Sequence, residues 1–192
     1  MKTVATAEPP TYTAFSSSRE VASGEQESVL RALKKKFGRV NGSVLIFEDQ
    51  TGRQVDFDFR GTADEVVARA SDAPKSGPGR PKLGVTSREV SLLPRHWDWL
   101  ESQPNGISAA IRRLVDEARH NESGVERGRH VRDAVGRVMW AIAGDLPNLE
   151  EAGRALYARE DKRLAKLMDA WPKDVQSYVL RRVKEAALFE AW

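Results

Sequence analysis

Between residues 71 and 84 the chain runs SDAPKSGPGRPKLG, and no regular element can pass through it. Proline locks φ and lacks a backbone donor, while glycine loses the most freedom on ordering. Pro74, Pro78 and Pro81, interleaved with Gly77, Gly79 and Gly84, therefore predict a linker. A chain of 192 residues makes either one large domain or two small ones with separate cores, and a division would fall here. The hydrophobic fraction of 40% and charged fraction of 31% belong to folded chains and argue against global disorder.

The formal charge of +3 hides an uneven distribution. From Pro74 to Arg95 there are five basic residues (Lys75, Arg80, Lys82, Arg88 and Arg95) against one acid, Glu89, whereas residues 11–73 hold nine basic and ten acidic residues. Such a concentration suits an arm facing phosphate, and it equally suits a solvated linker. With no cysteine in the chain, disulfides, thiolate zinc sites and a cysteine nucleophile are excluded. Residues 1–10, MKTVATAEPP, carry no apolar signal-peptide core and are expected to form a disordered tail. No apolar run approaches a membrane span, so a cytoplasmic location is expected.

Residues 11–70 predict a small β-β-α-β-β-α module. Two short strands, Tyr12–Phe15 and Arg19–Ala22, flank a Ser16–Ser18 turn. Ser23 stands as a helix N-cap with Gln26 three residues on, and Val29, Leu30, Leu33 and Phe37 make one apolar face. Lys34, Lys35 and Lys36 fall at the helix end, where cations suit the dipole. Ser43–Phe47 is a continuous apolar strand, Asp49–Gly52 a hairpin turn, and Val55, Phe57 and Phe59 alternate with Asp56, Asp58 and Arg60 on the return. Thr62 caps a short helix ending near Ala70. The class is α+β, with one sheet face covered by helix. Asp56 and Asp58 are the solvent side of an alternating strand and no metal is inferred.

Residues 85–121 form a strand-helix-helix unit. VTSREVSLL (85–93) alternates as a half-buried strand, Pro94 opens a helix through Gln103, and Pro104-Asn-Gly106 turns the chain. Ser108 caps a second helix with Ile111, Leu114, Val115 and Ala118 on its apolar stripe and Arg112, Arg113 and Arg119 elsewhere. Trp97 and Trp99, two apart, cannot both face one core, so one of them is expected to be exposed or covered by a partner.

Residues 125–192 are helical. Val131, Val135, Val138, Met139 and Ile142 share a face, Gly144 and Pro147 stop that helix, and further helices are expected over Leu149–Tyr157, Lys162–Trp171 and from Pro172 onward. Trp140 and Trp171 are expected between these helices.

The order strand, helix, turn, helix, with Ser108-x-x-Ile111-Arg112 opening the second helix, resembles the ribbon-helix-helix repressors of bacteria. The resemblance implies two chains pairing their strands into a ribbon in the major groove, with the second helix's N-terminus at a phosphate. On that basis Ser87, Glu89 and Ser91 are groove-facing and Ser108 with the Ala109 amide meets phosphate, with Arg88 and Arg112 as further DNA-facing positions. Counting inward positions back from Leu93 or from Leu92 gives two registers, and the residues leave both open. Gly79-Arg80-Pro81-Lys82 resembles the core of an AT-hook, in which arginine lies in a narrow A·T minor groove; here Pro78 stands where that motif carries arginine. Across the whole chain, LGVTSREVSLLPRHWDWLESQPNGISAAIRRLVDEAR, with TGRQVDFDFRGT before it and AGDLP after it, resembles a bacterial domain-of-unknown-function family, which implies no activity.

His96, His120 and His130 are the only side chains with an ordinary pKa near neutrality, and none has metal-ligand spacing. His96 is expected to be partly buried, and His120 and His130 exposed. No serine lies in a nucleophile elbow, and Gly77-x-Gly79 lacks the third glycine of a dinucleotide loop. These residues point to no enzyme and no cofactor. The expected function is a homodimeric DNA-binding transcriptional regulator contacting DNA through Lys75, Arg80, Pro81, Lys82, Ser87, Arg88, Ser91, Ser108 and Arg112. The alternative is a non-catalytic homodimeric adaptor with Trp97 and Trp99 at its interface.

Overall fold

Tyr12, Thr13, Ala14 and Phe15 are all buried, so the strand that carries them has protein on both faces. The computed structural model describes residues 9–38, 43–71 and 87–191. These fall into two compact units, one formed by the residues up to 72 with those from 124 onward, the other by residues 73–123.

In the first unit β1 (Thr11–Ser16), β2 (Arg19–Glu25), β3 (Val44–Glu48) and β4 (Arg53–Val55) form an antiparallel sheet in the order β2-β1-β3-β4. Helices α1 (Gln26–Phe37) and α2 (Ala63–Ser71) follow their hairpins as the β-β-α-β-β-α pattern requires. Tyr12, Ala14, Val44 and Ile46 meet Val29, Leu30, Leu33 and Val66 on one face. Phe57 and Phe59 join this core although the ladder stops at Val55, so their alternation survives without a strand partner.

The opposite face is covered as well, which corrects the expectation of a sheet with one covered face. Phe15 and Phe47 pack into the core of the C-terminal helices, α5 (Gly124–Ile142), α6 (Leu149–Tyr157), α7 (Asp161–Leu167) and α8 (Lys173–Glu190). Phe15 meets Phe47 and Tyr178 edge-on, with centroids 6.4 and 5.5 Å apart. Burying each aromatic ring stabilises the fold by roughly 1.5–3 kcal/mol. The physical reason was present in Val44–Phe47: a strand segment apolar at every position needs two covers.

The hairpin turn between β3 and β4 is fastened to α5. Gly52 has φ 65°, and a Cβ there would collide with the Ala134 carbonyl oxygen. The Arg137 guanidinium donates to the Thr51 carbonyl beside it. Asp49, buried in the same turn, accepts from the Thr13 hydroxyl at 2.8 Å, and its carbonyl accepts from Arg182 at 2.9 Å.

Two local expectations change. Ser23 does not cap α1: it pairs with Thr13 in the β1–β2 ladder, which continues to Glu25 and delays the helix to Gln26. Trp140 is 54% exposed, because it lies half a turn round α5 from the buried stripe of Val131, Val135, Val138 and Met139. Trp171 is buried as expected, and its indole N–H donates to the Pro147 carbonyl at 2.8 Å. Thr62 does cap α2, in a reciprocal arrangement: its amide donates to Glu65 Oε2 at 2.7 Å while its Oγ1 accepts the Glu65 amide at 3.3 Å.

The second unit contains α3 (Pro94–Glu101) and α4 (Ile107–His120), joined by a turn with Asn105 and Gly106 at positive φ. Residues 87–93 carry no strand ladder. A strand exists only where another strand accepts its hydrogen bonds, and among the described residues of this unit none is available.

Candidate nucleic-acid interface

Proline at N1 starts α3, since its missing N–H would have had no helical partner, and Leu93 before it is extended, at φ −68° and ψ 149°. Gly106, at φ 79°, is the N-cap of α4, so Ser108 is a first-turn residue of the helix instead of its cap. The turn demands a residue free to adopt positive φ immediately before Ile107, and that leaves the cap without a side chain. The amides of Ala109 and Ala110 donate to the Gly106 carbonyl at 3.1 and 3.0 Å. The Ala109 amide, expected at a phosphate, is thus engaged within the chain.

The packing of this unit is sparse. Leu100 and Ala110 are buried, while Val90, Leu93, Trp99, Ile111, Leu114 and Val115 are exposed, Trp99 at 47% and Val115 at 51%. At 100° per residue, Ile107, Ile111, Leu114 and Ala118 form one strip of α4, and Ser108, Arg112, Val115 and Arg119 form the strip beside it. An apolar band therefore runs along a helix with a basic edge. Arg113 lies away from that edge, where it bonds Gln103 at 3.2 Å and approaches Glu117 at 3.5 Å.

Of the residues predicted from sequence, Ser108 and Arg112 come together on one face of α4, and Ser87, Arg88 and Ser91 lie exposed on the extended segment before α3. Lys75, Arg80, Pro81 and Lys82 lie outside the described residues. Trp97 is half-buried and Trp99 exposed, the division their spacing required. Leu92 is half-buried while Val90 and Leu93 are exposed, so residues 87–93 follow neither of the two inward registers. Arg119 belongs with Ser108 and Arg112, and its spacing of seven from Arg112 was the signal for it.

His96 is exposed, not partly buried as expected. The Asp58 carboxylate is gripped by Arg60 at 2.9 and 2.7 Å, and hydrogen bonds from that guanidinium and the Arg60 amide hold it well below the usual carboxylate range. Among the described residues no group of three or more His, Asp or Glu side chains is placed to hold a metal ion. No helix among them is long and apolar enough to cross a membrane.

The architecture defines an α+β protein: a four-stranded antiparallel sheet between helices, with a separate helical hairpin inserted between the module and its C-terminal helices. A family model described as "Uncharacterized protein conserved in bacteria (DUF2239)" matches residues 11–183, and the chain belongs to that family. No curated protein and no solved structure matches the chain.

Proposed function

We propose that this is a cytoplasmic, dimeric DNA-binding protein, a transcriptional regulator in class, in which two α3–α4 hairpins pair and present the 87–93 segments and the basic edge of α4 to DNA. The observation that carries this reading is the apolar band of Ile111, Leu114 and Val115, exposed beside Arg112 and Arg119. A helix pair with Leu100 and Ala110 as its buried side chains has too little core to stand alone, and a second copy supplies the missing cover. Pairing would also give residues 87–93 the strand partner that a single chain lacks. Ser108 and the open first-turn amides of α4 then lie where a helix N-terminus meets phosphate.

The test is fluorescence anisotropy of a labelled A·T-rich duplex against the protein across a salt series, with Arg80→Ala and Arg112→Ala alongside. Affinity should fall steeply with salt as counterions are released, and each variant should reduce the log–log slope by about one per lost phosphate contact. No binding at low salt sinks the reading.

The rival is a non-catalytic homodimeric adaptor. The exposed Trp99 favours it, since an aromatic anchor on a short helix is the usual centre of a protein interface. An adaptor would ignore salt in this range and respond to Trp99→Ala.

A further inference from the structure

We propose that a groove on the first unit, walled by the β1–β2 turn, the C-terminal end of α1 and the start of α8, binds an organic phosphate such as a nucleotide. Its volume is about 650 Å³, within the range of small-molecule sites. Arg19 of β2, Lys36 of α1 and Lys173 of α8 all line it. Arg19 and Lys36 come from consecutive elements and Lys173 from the last helix, more than a hundred residues on, so the fold brings the third cation to the first two. Like charges that converge on a concave surface repel one another and raise the local potential for an anion.

The groove has no comparable negative charge. Its one lining acid is Asp174, whose Oδ2 accepts the Glu20 amide at 3.0 Å. Glu20 itself faces Arg181, at 3.2 Å. Among the described residues no acid pairs with Arg19, Lys36 or Lys173. Lys36 Nζ lies 5.7 Å from the Phe37 ring centroid, and Lys173 makes a 3.4 Å contact with the Gln176 side-chain carbonyl. The three lysines at the end of α1 thus divide in role, since Lys34 donates to the Phe59 carbonyl at 2.8 Å while Lys36 faces the groove.

The rest of the lining fits the same ligand. Ser16, Ser17 and Ser18 line the same groove and carry hydroxyls of the kind that donate to phosphate oxygens. Phe37, Val21 and Pro172 add an apolar wall, which inorganic phosphate would not use and a base or sugar would. The first turn of α8 opens at the groove with no side-chain cap and adds its dipole to the same field.

The experiment is isothermal titration of the full chain with ADP at fixed ionic strength, with adenosine as the phosphate-free control. ADP should bind saturably, adenosine should not, and the variant Arg19→Gln/Lys36→Gln/Lys173→Gln should weaken ADP at least tenfold. The charge-retaining variant Arg19→Lys/Lys36→Arg/Lys173→Arg should keep most of the affinity. All three positions are exposed, and an unchanged circular dichroism melt will show that both variants fold. Absence of saturation by ADP overturns the proposal, as does undiminished binding by the glutamine variant or equal binding of adenosine. These variants leave Arg80 and Arg112 intact, so the groove and the DNA reading stand or fall separately.

Discussion

Arg132 Nε donates to Glu190 Oε1 at 3.0 Å, joining the middle of α5 to the last turn of α8. The same guanidinium reaches Asp161 at 2.8 Å and the Leu156 carbonyl at 3.2 Å, so one buried side chain ties α5, α6, α7 and α8. Burial opposes its charge, but the hydrogen bonds to Glu190 and Asp161 outweigh that cost and raise its pKa above the usual arginine value. Removing one partner strands the others. Arg132→Ala is expected to destabilise the protein by about 3–5 kcal/mol in urea unfolding, while Arg132→Met with Glu190→Gln, which leaves no buried acid at that end, should cost clearly less. Equal losses would show that packing, not charge pairing, governs the site.

Gly52 stands at positive φ with its α-carbon against Ala134. Gly52→Ala should cost about 2–4 kcal/mol, combining left-handed strain with displacement of α5 from the β3–β4 turn. A loss below about 1 kcal/mol in thermal or urea unfolding would show that the turn can move away.

Tyr178 is fully buried, and its hydroxyl has no hydrogen-bond partner among the described residues. Tyr178→Phe should therefore leave stability at pH 7 unchanged or raise it by about 1 kcal/mol. Burial, aided by the Asp49 carboxylate, pushes the phenol well above its ordinary pKa. The folded state keeps that proton after the unfolded chain has lost it, so the contribution is complete below the ordinary tyrosine value near 10 and declines as pH rises through it toward the folded value. The wild type should lose stability above that point faster than Tyr178→Phe, as melting temperatures across an alkaline series will show.

On the acid side, Glu65 is held below its ordinary pKa by the Thr62 amide and hydroxyl. A depressed carboxylate contributes above its unfolded pKa and loses that contribution as pH falls through the folded one. Glu65→Gln should lower the melting temperature at neutral pH and flatten its decline below about pH 5 relative to wild type. Parallel curves would mean that the cap does not depend on charge.

If a second copy covers α4, charge placed in its apolar band must separate the pair. Leu114→Glu is expected to convert a dimer into a monomer in sedimentation equilibrium without lowering the helix content of the first unit, and Trp99→Ala to weaken association at least tenfold. A wild type that sediments as a monomer at micromolar concentration would overturn the pairing.

Much of this was legible beforehand because the signals were local. The β-β-α-β-β-α order follows from strand runs separated by helical periodicity and by the Asp49–Gly52 turn. The helical tail follows from apolar residues three and four apart, and even the exposure of Trp140 was contained in that period. Ser108 and Arg112 could be placed on one face by counting. Tertiary structure alone decided that residues 124–191 return to cover the second face of the sheet, because which apolar surfaces find each other depends on contacts more than a hundred residues apart, as between Glu20 and Asp174. It also delayed α1 past Ser23 by extending a ladder, and it gathered Arg19, Lys36 and Lys173 around one groove, which no spacing along the chain encodes. Sequence thus determined the elements and their faces, through backbone geometry and periodicity. The fold determined the layers and the charged groove, through long-range burial.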